Sequence, residues 1–388
     1  MANLSVEFSG LKLKNPLIAA SAGTTKDALH CRQAQDAGFG AVILKSIQEE
    51  SVNRYNPFPR MTVIRNGISG YHADTFMTYE QAFEGNLKEY CDEIKKAKEM
   101  LDIPVIASLN CAREETWAEY AVECEKAGAD AIEVVPSCPV GAFVREGVEF
   151  YPIASKAVRD VREAVKIPAG LKMTQQMANP IVCAMDLEKD GADWLTMFNR
   201  SVGFEVDIET MEPIMHKGFC GHGGPWVIQS VMHWIAATRP HVKCPISATG
   251  GVTNYEDVIR YLLSGAANVQ IASLIYMKGF DEIRKILEQM EQYLEKHSVK
   301  NVTDIIGVAA EKVLPLDKAD RSRRYFAQVD YEKCVGCKKC FPVCIYGAIS
   351  NDGKQPVIDP EKCDGCGLCS QICGRAITMK GKGDRDNG

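Results

Sequence analysis

The strongest constraint on how this chain folds is a cysteine pattern that occurs twice near its C-terminus. Residues 334–344 read CVGCKKCFPVC and residues 363–373 read CDGCGLCSQIC, so the spacing CxxCxxCxxxC is repeated. Eight of the sixteen cysteines fall in these two runs, and the other eight are scattered over the first 250 residues. In a chain of 388 residues, cysteines clustered at short fixed spacings indicate metal binding rather than disulfide bonds.

This spacing is the bacterial ferredoxin pattern, in which three close thiolates bind one cubane cluster and the fourth cysteine ligates the other cluster. On that rule the two runs bind two [4Fe-4S] clusters through crossed ligand sets. The first set is Cys334, Cys337, Cys340 and Cys373, and the second set is Cys363, Cys366, Cys369 and Cys344. Gly336 and Gly365 allow the tight turns that such loops require.

A zinc site with four thiolates is the structural alternative for each run. Two complete runs with identical internal spacing argue against zinc. One departure from the ferredoxin pattern is visible, because the proline that usually follows the fourth cysteine is Ile345 in one run and Gly374 in the other. Two clusters in one small domain form a one-electron relay, which implies a further redox centre elsewhere in the chain.

Short apolar segments alternate with longer amphipathic segments in the first 296 residues. This alternation predicts eight buried strands separated by helices, and therefore an α/β fold: a (β/α)8 TIM barrel followed by a small α+β ferredoxin-like domain. The predicted strands are 17–20, 41–46, 104–109, 131–135, 169–173, 194–199, 246–251 and 269–273, and the clearest helices are 87–101, 115–127, 153–166, 254–264 and 279–296.

The predicted domains are the barrel at 1–296, a linker or helical connection at 297–328, and the ferredoxin domain at 329–388. An open doubly wound sheet is the alternative to the barrel. No GxGxxG motif follows an early strand, so the signature of a nicotinamide-binding Rossmann unit is absent.

Chemistry in such barrels gathers where the strands end. The predicted strand ends carry two lysines within apolar segments, and a buried charge needs an opposite charge or a ligand. The ATGG segment and the IAS segment lie where barrels commonly bind phosphate. These features suit a flavin mononucleotide (FMN). The strand-end residues are Lys45, Asn110, Cys138, Lys172, Asn199, Gly250, Gly251 and Ser273.

Six segments in this order resemble the flavin and C-terminal iron–sulfur portion of dihydropyrimidine dehydrogenases, and the barrel is similar to class 1 dihydroorotate dehydrogenases. The segments are LKNPLIAASAGTTKD, VILKS, GADAIEVVPSCP, IPAGLKMT, ATGGV and SGAANVQIAS. The resemblance covers nearly the whole chain. It implies FMN, two [4Fe-4S] clusters and a reaction at a CH–CH bond.

In the family, the cysteine of a Ser-Cys-Pro triplet exchanges a proton with one substrate carbon while the flavin exchanges hydride with the next carbon. The resemblance gives that role to Cys138. A thiol with a pKa near 8.5 is suited to proton exchange near neutral pH. A buried inert thiol is the alternative, and it better describes the scattered cysteines Cys31, Cys91, Cys124, Cys183 and Cys244.

The resemblance also assigns flavin contacts. Lys45 and Lys172 are expected at the isoalloxazine and ribityl groups, and Asn110 nearby. The remaining expected contacts are backbone contacts along the ring from Ala20, Ser21 and Ala22, and phosphate contacts from Gly224, Gly250, Gly251, Ala272 and Ser273. Gly223 replaces a serine of the family pattern, which weakens the phosphate assignment there.

In the pyrimidine-reducing family, a set of asparagines binds the amide groups of the substrate, and this chain departs from that pattern. Three asparagines of that pattern correspond here to Val135, Thr78 and Asn199, and the residue after Asn199 is Arg200. An arginine in this place suggests a carboxylate substrate. The alternative is that Arg200 faces solvent or pairs with Glu205 or Asp207.

Three functions therefore remain open. The first is reduction, or the reverse oxidation, of a ring C=C bond in uracil, thymine or a relative. The second is the same chemistry on a carboxylate-bearing unsaturated compound such as orotate. The third is an electron-transfer subunit whose flavin is only a relay, against which the retained Cys138 argues. By resemblance, the electron donor is an FAD- and NAD(P)H-binding iron–sulfur subunit, with ferredoxin as the alternative.

The composition narrows the remaining partners. The net charge of −6 leaves no basic surplus for nucleic acid. No run reaches the roughly 18 apolar residues of a membrane span, and the N-terminal residues lack the layout of a signal peptide. We therefore expect a cytoplasmic enzyme, assembled as an oligomer, with no nucleic-acid or membrane partner.

Overall fold

The computed structural model describes residues 2–49, 59–68, 71–79, 82–111, 113–136, 150–214, 219–319, 325–351, 353 and 355–381. The chain divides into two compact units, Met1–Lys312 and Val313–Gly388. This division lies inside the segment 297–328 that the sequence suggests as a connection. Val302 and Ile305, from the first half of that segment, are buried in the core of the first unit.

The first unit contains a closed barrel of eight parallel strands. Strand β1 pairs with β8 and with β2, β2 pairs with β3, and the remaining strands follow in chain order around the barrel. This confirms the predicted TIM barrel and excludes the open doubly wound sheet. The strands are β1 Leu17–Ala19, β2 Ala41–Ile43, β3 Val105–Asn110, β4 Ala131–Val134, β5 Ala169–Lys172, β6 Leu195–Met197, β7 Ile246–Thr249 and β8 Asn268–Ile271.

Helices surround the barrel and bury one apolar face each. In the longest, Ile283, Ile286, Met290 and Leu294 recur every three or four residues and are fully buried, as an amphipathic helix requires. The helices are α1 Ala28–Ala37, α2 Leu87–Met100, α3 Thr116–Lys126, α4 Phe150–Ala164, α5 Pro180–Lys189, α6 Ile228–Thr238, α7 Tyr255–Leu263, α8 Ser273–Lys278 and α9 Asp281–Lys296.

The helix ends follow local sequence signals. The Asn86 side chain accepts a hydrogen bond from the backbone N–H of Glu89, and the Glu89 side chain returns to the backbone of Asn86, so a capping box begins α2. Gly38 ends α1 with a φ of 115°, a left-handed conformation that favours glycine. Short 3-10 turns lie at Gly23–Thr25, Pro225–Val227, Arg239–His241, Val302–Ile305, Ala310–Lys312 and Leu316–Lys318.

An antiparallel sheet of four strands covers the end of the barrel where the site lies. Its strands come from the segments that follow β2 and β6, in the order Ser201–Gly203, Cys220–Gly223, Tyr71–Thr78 and Met61–Ile68. We call it the cap sheet. The other strands outside the barrel are Ile47–Gln48, which pairs with β3, the hairpin Val6–Phe8 and Leu11–Leu13, and the hairpin Val206–Asp207 and Glu212–Pro213.

The second unit is a small α+β fold, as the sequence predicts. Tyr325–Val329 pairs with Ile377–Gly381, Ile349–Asn351 pairs with Pro356–Ile358, and helix α10 spans Leu368–Cys373. Its small core contains Cys340 and Cys369 beside aliphatic side chains. Across the described parts of both units, every helix is too short or too polar to cross a membrane.

Candidate active site

A cleft of about 790 Å³, open to solvent, lies at the carboxyl ends of the barrel strands. Because parallel strands of a barrel all end on one face, residues far apart in sequence meet here. Most of the site residues suggested by the sequence line this cleft. They are Ala20, Ser21, Ala22, Lys172, Asn199, Arg200, Gly250, Gly251, Ala272 and Ser273.

The glycines after β7 form a close backbone surface on one side of the cleft. Gly251 has a φ of +71°, and a Cβ atom there would lie 2.7 Å from the carbonyl oxygen of Gly224. Only glycine fits this position without a shift of the backbone. The Tyr261 hydroxyl donates a 2.7 Å hydrogen bond to the Gly250 carbonyl and holds the turn. Gly224 itself supports the turn from outside the cleft lining.

Lys172 at the end of β5 is held by a buried polar network. Its Nζ lies 3.0 Å from Glu133 Oε1 and 3.0 Å from Gln270 Oε1. The second carboxylate oxygen of Glu133 accepts hydrogen bonds from Gln270 Nε2 at 2.8 Å and from the Thr196 hydroxyl at 2.9 Å. All four side chains are buried, so the lysine charge meets the opposite charge that its burial requires.

Sequence reasoning missed the partners in this network. Glu133 and Gln270 are polar residues inside apolar strands, which is the same signal that singled out the two lysines. A further missed contact lies in the cleft, where the rings of Phe76 and Tyr276 stack at 5.6 Å between centroids. Phe76 belongs to the cap sheet and Tyr276 to α8, so only the folded barrel brings them together.

Asn110 ends β3 with a side chain that is 1% exposed, and neither its Nδ2 nor its Oδ1 atom has a hydrogen-bond partner among the described residues. A buried amide of this kind requires a ligand or water. Asn110, Lys45 and Thr78 are not among the residues that line the cleft. Lys45 lines a second cleft beside Lys26, and Thr78 is buried in the cap sheet opposite Gly221.

The substrate candidates Asn199 and Arg200 lie on the side of the cleft nearest the cap sheet. The Arg200 guanidinium packs against Gly221, where a Cβ atom would lie 3.0 Å from its Cζ. His222 also lines the cleft, with Nδ1 3.2 Å from the Ser201 carbonyl oxygen. None of the described residues that line the cleft is acidic, so its charged lining is basic.

Cys138 lies in residues 137–149, outside the described part of the chain. The described chain reaches Pro136 directly after β4, and β4 carries Glu133. Pro136 therefore lies at the end of the barrel where the cleft lies.

The eight cysteines of the second unit line two separate cavities that open to solvent. One cavity is lined by Cys334, Cys337, Cys340 and Cys373, and the other by Cys344, Cys363, Cys366 and Cys369. These are the two crossed sets that the ferredoxin rule predicts. Among the described residues, no group of three His, Cys, Asp or Glu side chains is arranged to hold a single metal ion. Each set offers four thiols, the number of protein ligands that one cubane takes.

The backbone around Cys373 favours its thiolate, the form that ligates metal, whereas burial raises the pKa of the Cys340 and Cys369 thiols. Burial alone would raise the pKa of the Cys373 thiol, but hydrogen bonds from the backbone N–H groups of Ala376, Arg375 and Ile377 lower the pKa overall. The Ala376 nitrogen lies 3.3 Å from Cys373 Sγ. Gly365 has a φ of +80°, the left-handed conformation that the tight cysteine loop needs.

The barrel residues fit a flavin on two observations. The glycine turn presents bare backbone to the cleft, as phosphate binding by amides requires, and the buried Asn110 amide has unused donors and an acceptor. Lys172 adds a fixed positive charge to the same cleft.

The profile of the dihydroorotate dehydrogenase family matches residues 3–294, and that of the 4Fe-4S dicluster domain matches residues 326–374. The chain is 28% identical over 363 residues to the NAD-dependent dihydropyrimidine dehydrogenase subunit PreA of Escherichia coli (strain K12), covering 89% of this chain and 86% of that protein.

Two further relatives match a smaller share of this chain. The catalytic subunit of dihydroorotate dehydrogenase B (NAD(+)) from Pyrococcus abyssi is 30% identical over 312 residues, covering 79% of this chain and 99% of that protein. Dihydroorotate dehydrogenase A (fumarate) from Lactobacillus delbrueckii subsp. bulgaricus is 26% identical over 314 residues, with 79% and 98% covered. These matches confirm the resemblance drawn from the residues.

Proposed function

Because this chain belongs to the dihydroorotate dehydrogenase family and is an oxidoreductase acting on CH–CH bonds, we propose that it uses FMN and two [4Fe-4S] clusters to reduce, or in reverse oxidise, an activated ring C=C bond. The observation that carries this proposal is Lys172, which Glu133 and Gln270 hold at the cleft in the same chain that bears two four-cysteine cavities.

The barrel residues would hold FMN through backbone and charge. Gly250, Gly251, Ala272 and Ser273 line the cleft and would bind the phosphate, whose charge suits bare backbone amides, with Gly224 supporting their turn. The backbone of residues 20–22, which line the cleft, would contact the ring, and Lys45 and Asn110 would act from outside the described cleft lining. Lys172 would oppose negative charge on a bound flavin ring, as an oxyanion hole does.

Bound FMN supplies hydride transfer to or from one carbon of the substrate double bond. The Cys138 thiol gives or takes the proton at the neighbouring carbon, a general acid/base role that a thiol pKa near 8.5 allows close to neutral pH. Asn199 reads a polar edge of the substrate ring from the cleft wall, beside Arg200. Thr78 would act from the cap sheet rather than from the cleft lining.

The second unit carries electrons to and from the barrel. Cys334, Cys337, Cys340 and Cys373 would ligate one cluster, and Cys344, Cys363, Cys366 and Cys369 the other. The relatives in Escherichia coli and Pyrococcus abyssi are named as subunits. We propose that this chain likewise works with a separate FAD- and NAD(P)H-binding iron–sulfur subunit, or with ferredoxin.

A carboxylate-bearing unsaturated compound is the second candidate substrate class. Arg200 lines a cleft whose described lining has no acidic side chain, which favours an anionic ligand. Uracil and thymine represent the neutral class, and orotate represents the carboxylate class.

Cofactor analysis and a substrate panel test the proposal together. We expect one FMN and about eight iron with eight acid-labile sulfides per chain, as two cubanes require. Chain reduced by dithionite should then reoxidise on adding a substrate of one class under anaerobic conditions. Stoichiometric zinc without iron–sulfur absorbance would contradict the two clusters, and a full cofactor content without any reoxidation would favour a pure electron relay.

A further inference from the structure

The two cysteine loops of the second unit are near-repeats that differ mainly in charge. Both begin with Glu-Lys-Cys, at 332–334 and 361–363. After that, each position of the first loop can be compared with its equivalent in the second. Val335 corresponds to Asp364, Lys338 to Gly367 and Lys339 to Leu368.

The structure places this charge difference at the openings of the cavities. The cavity of Cys334, Cys337, Cys340 and Cys373 is also lined by Lys338, Lys339 and Arg375, and no acidic side chain is among its described lining. The cavity of the other cysteine set is lined by Asp364 and, within the described residues, by no cationic side chain. We call the first the basic cavity and the second the acidic cavity.

The basic cavity has the layout of a small docking surface. Cys337 is exposed at its edge, and Val335 beside it is 64% exposed. A rim of charged residues around an apolar centre is the usual arrangement of a transient protein interface. The chain as a whole carries a net charge of −6, so this rim is a local reversal of sign that attracts an acidic surface.

We propose that the basic cavity is the port through which electrons enter this chain, and that Lys338, Lys339 and Arg375 dock an electron-carrier protein with an acidic face. The inference rests on the proposed function, since it requires clusters in both cavities. In the transfer the reduced carrier loses one electron and the cluster of the basic cavity gains it. No bond is formed or broken, and no proton moves.

Stopped-flow reduction of the oxidised holoprotein tests this port. The probe is a dithionite-reduced acidic ferredoxin freed of excess reductant. At low ionic strength we expect the second-order rate constant to fall about 10-fold or more in Lys338→Glu/Lys339→Glu, within the range that electrostatic steering spans. The rate for the unaltered chain should fall steeply with added salt. The same ferredoxin with its surface carboxyls converted to amides should react slowly with every variant.

The matched control is Lys362→Glu/Lys380→Glu, which makes the same change in net charge away from the basic cavity lining. It should keep at least half of the rate. A milder pair, Lys338→Gln/Lys339→Gln, shows the same trend if the charge reversal impairs folding. Equal loss in both Glu pairs, or a rate independent of salt, would overturn the port. Loss of iron or of visible absorbance in the unaltered chain would instead contradict the proposed function.

Discussion

Lys172 Nζ lies 3.0 Å from Glu133 Oε1 inside the barrel, and the Glu133 side chain is fully buried. Removing one partner of a buried pair leaves an uncompensated charge, which costs about 3–5 kcal/mol. We expect Lys172→Met to lower the free energy of unfolding by that amount. Lys172→Met/Glu133→Gln should be more stable than Lys172→Met alone, because no buried charge remains. Denaturant titrations of the three proteins measure both differences, and a double variant no more stable than the single one would contradict the coupling.

The pattern of apolar residues was sufficient for the barrel but not for its polar interior. Each strand lies between turn and helix signals, so the eight strands and the long helices follow from local periodicity. The hydrogen bonds among Glu133, Lys172 and Gln270 join residues that are 39 to 137 positions apart in the sequence. Their pairing depends on barrel closure, which no local pattern contains.

The cap sheet is a second feature that could not be predicted from the sequence. Gly221 pairs with Thr78 across the sheet, although the two lie in insertions after different barrel strands. Irregular segments of this kind lack the alternation that predicts strands, so the sequence suggested Thr78 as a substrate contact without its sheet. The crossed cysteine sets were predictable because the ligand spacing itself encodes the geometry.

Two barrel cysteines, the buried Cys183 and the half-buried Cys244, should resist alkylation. Burial raises the pKa of the Cys183 thiol to about 12, and burial beside Glu188 raises the pKa of Cys244 to about 12. At pH 8 the reactive thiolate is then roughly 10⁻⁴ of each group. We expect iodoacetamide to label both only after unfolding, and any labelling of the native protein to rise with pH. Peptide mapping by mass spectrometry gives the extent, and rapid native labelling at pH 8 would contradict the shift.

Cys138→Ala should keep FMN and lose turnover. Because a positioned general acid or base contributes 10²–10⁴-fold, we expect turnover to fall by that factor while the flavin absorbance is retained. Cys183→Ala is the control, since it removes a buried thiol of α5 that is not among the cleft-lining residues. Equal turnover in Cys138→Ala and the unaltered enzyme would make Cys138 a packing residue.

Arg200→Gln separates the two substrate classes. If the guanidinium binds a carboxylate in the cleft, kcat/KM for orotate should fall. The loss should correspond to roughly 2–5 kcal/mol of transition-state binding. Activity with uracil should change far less. Arg200→Lys keeps the charge but not the planar fork, so it should restore only part of the loss. An unchanged kcat/KM for orotate would return Arg200 to a structural role and leave the neutral pyrimidines as the substrates.

The last prediction concerns the source of electrons. The chain lacks a GxGxxG motif after an early strand, and two four-cysteine cavities in its second unit suit one-electron transfer to a partner. We therefore expect dithionite to bleach the flavin and cluster absorbance of the isolated chain, while NADH and NADPH leave it unchanged over minutes. Adding an FAD- and iron–sulfur-containing partner subunit, or reduced ferredoxin, should restore reduction and turnover. Rapid bleaching of the isolated chain by NADH would show that the barrel cleft itself accepts the nicotinamide. In that case the clusters would carry electrons away from the flavin rather than toward it.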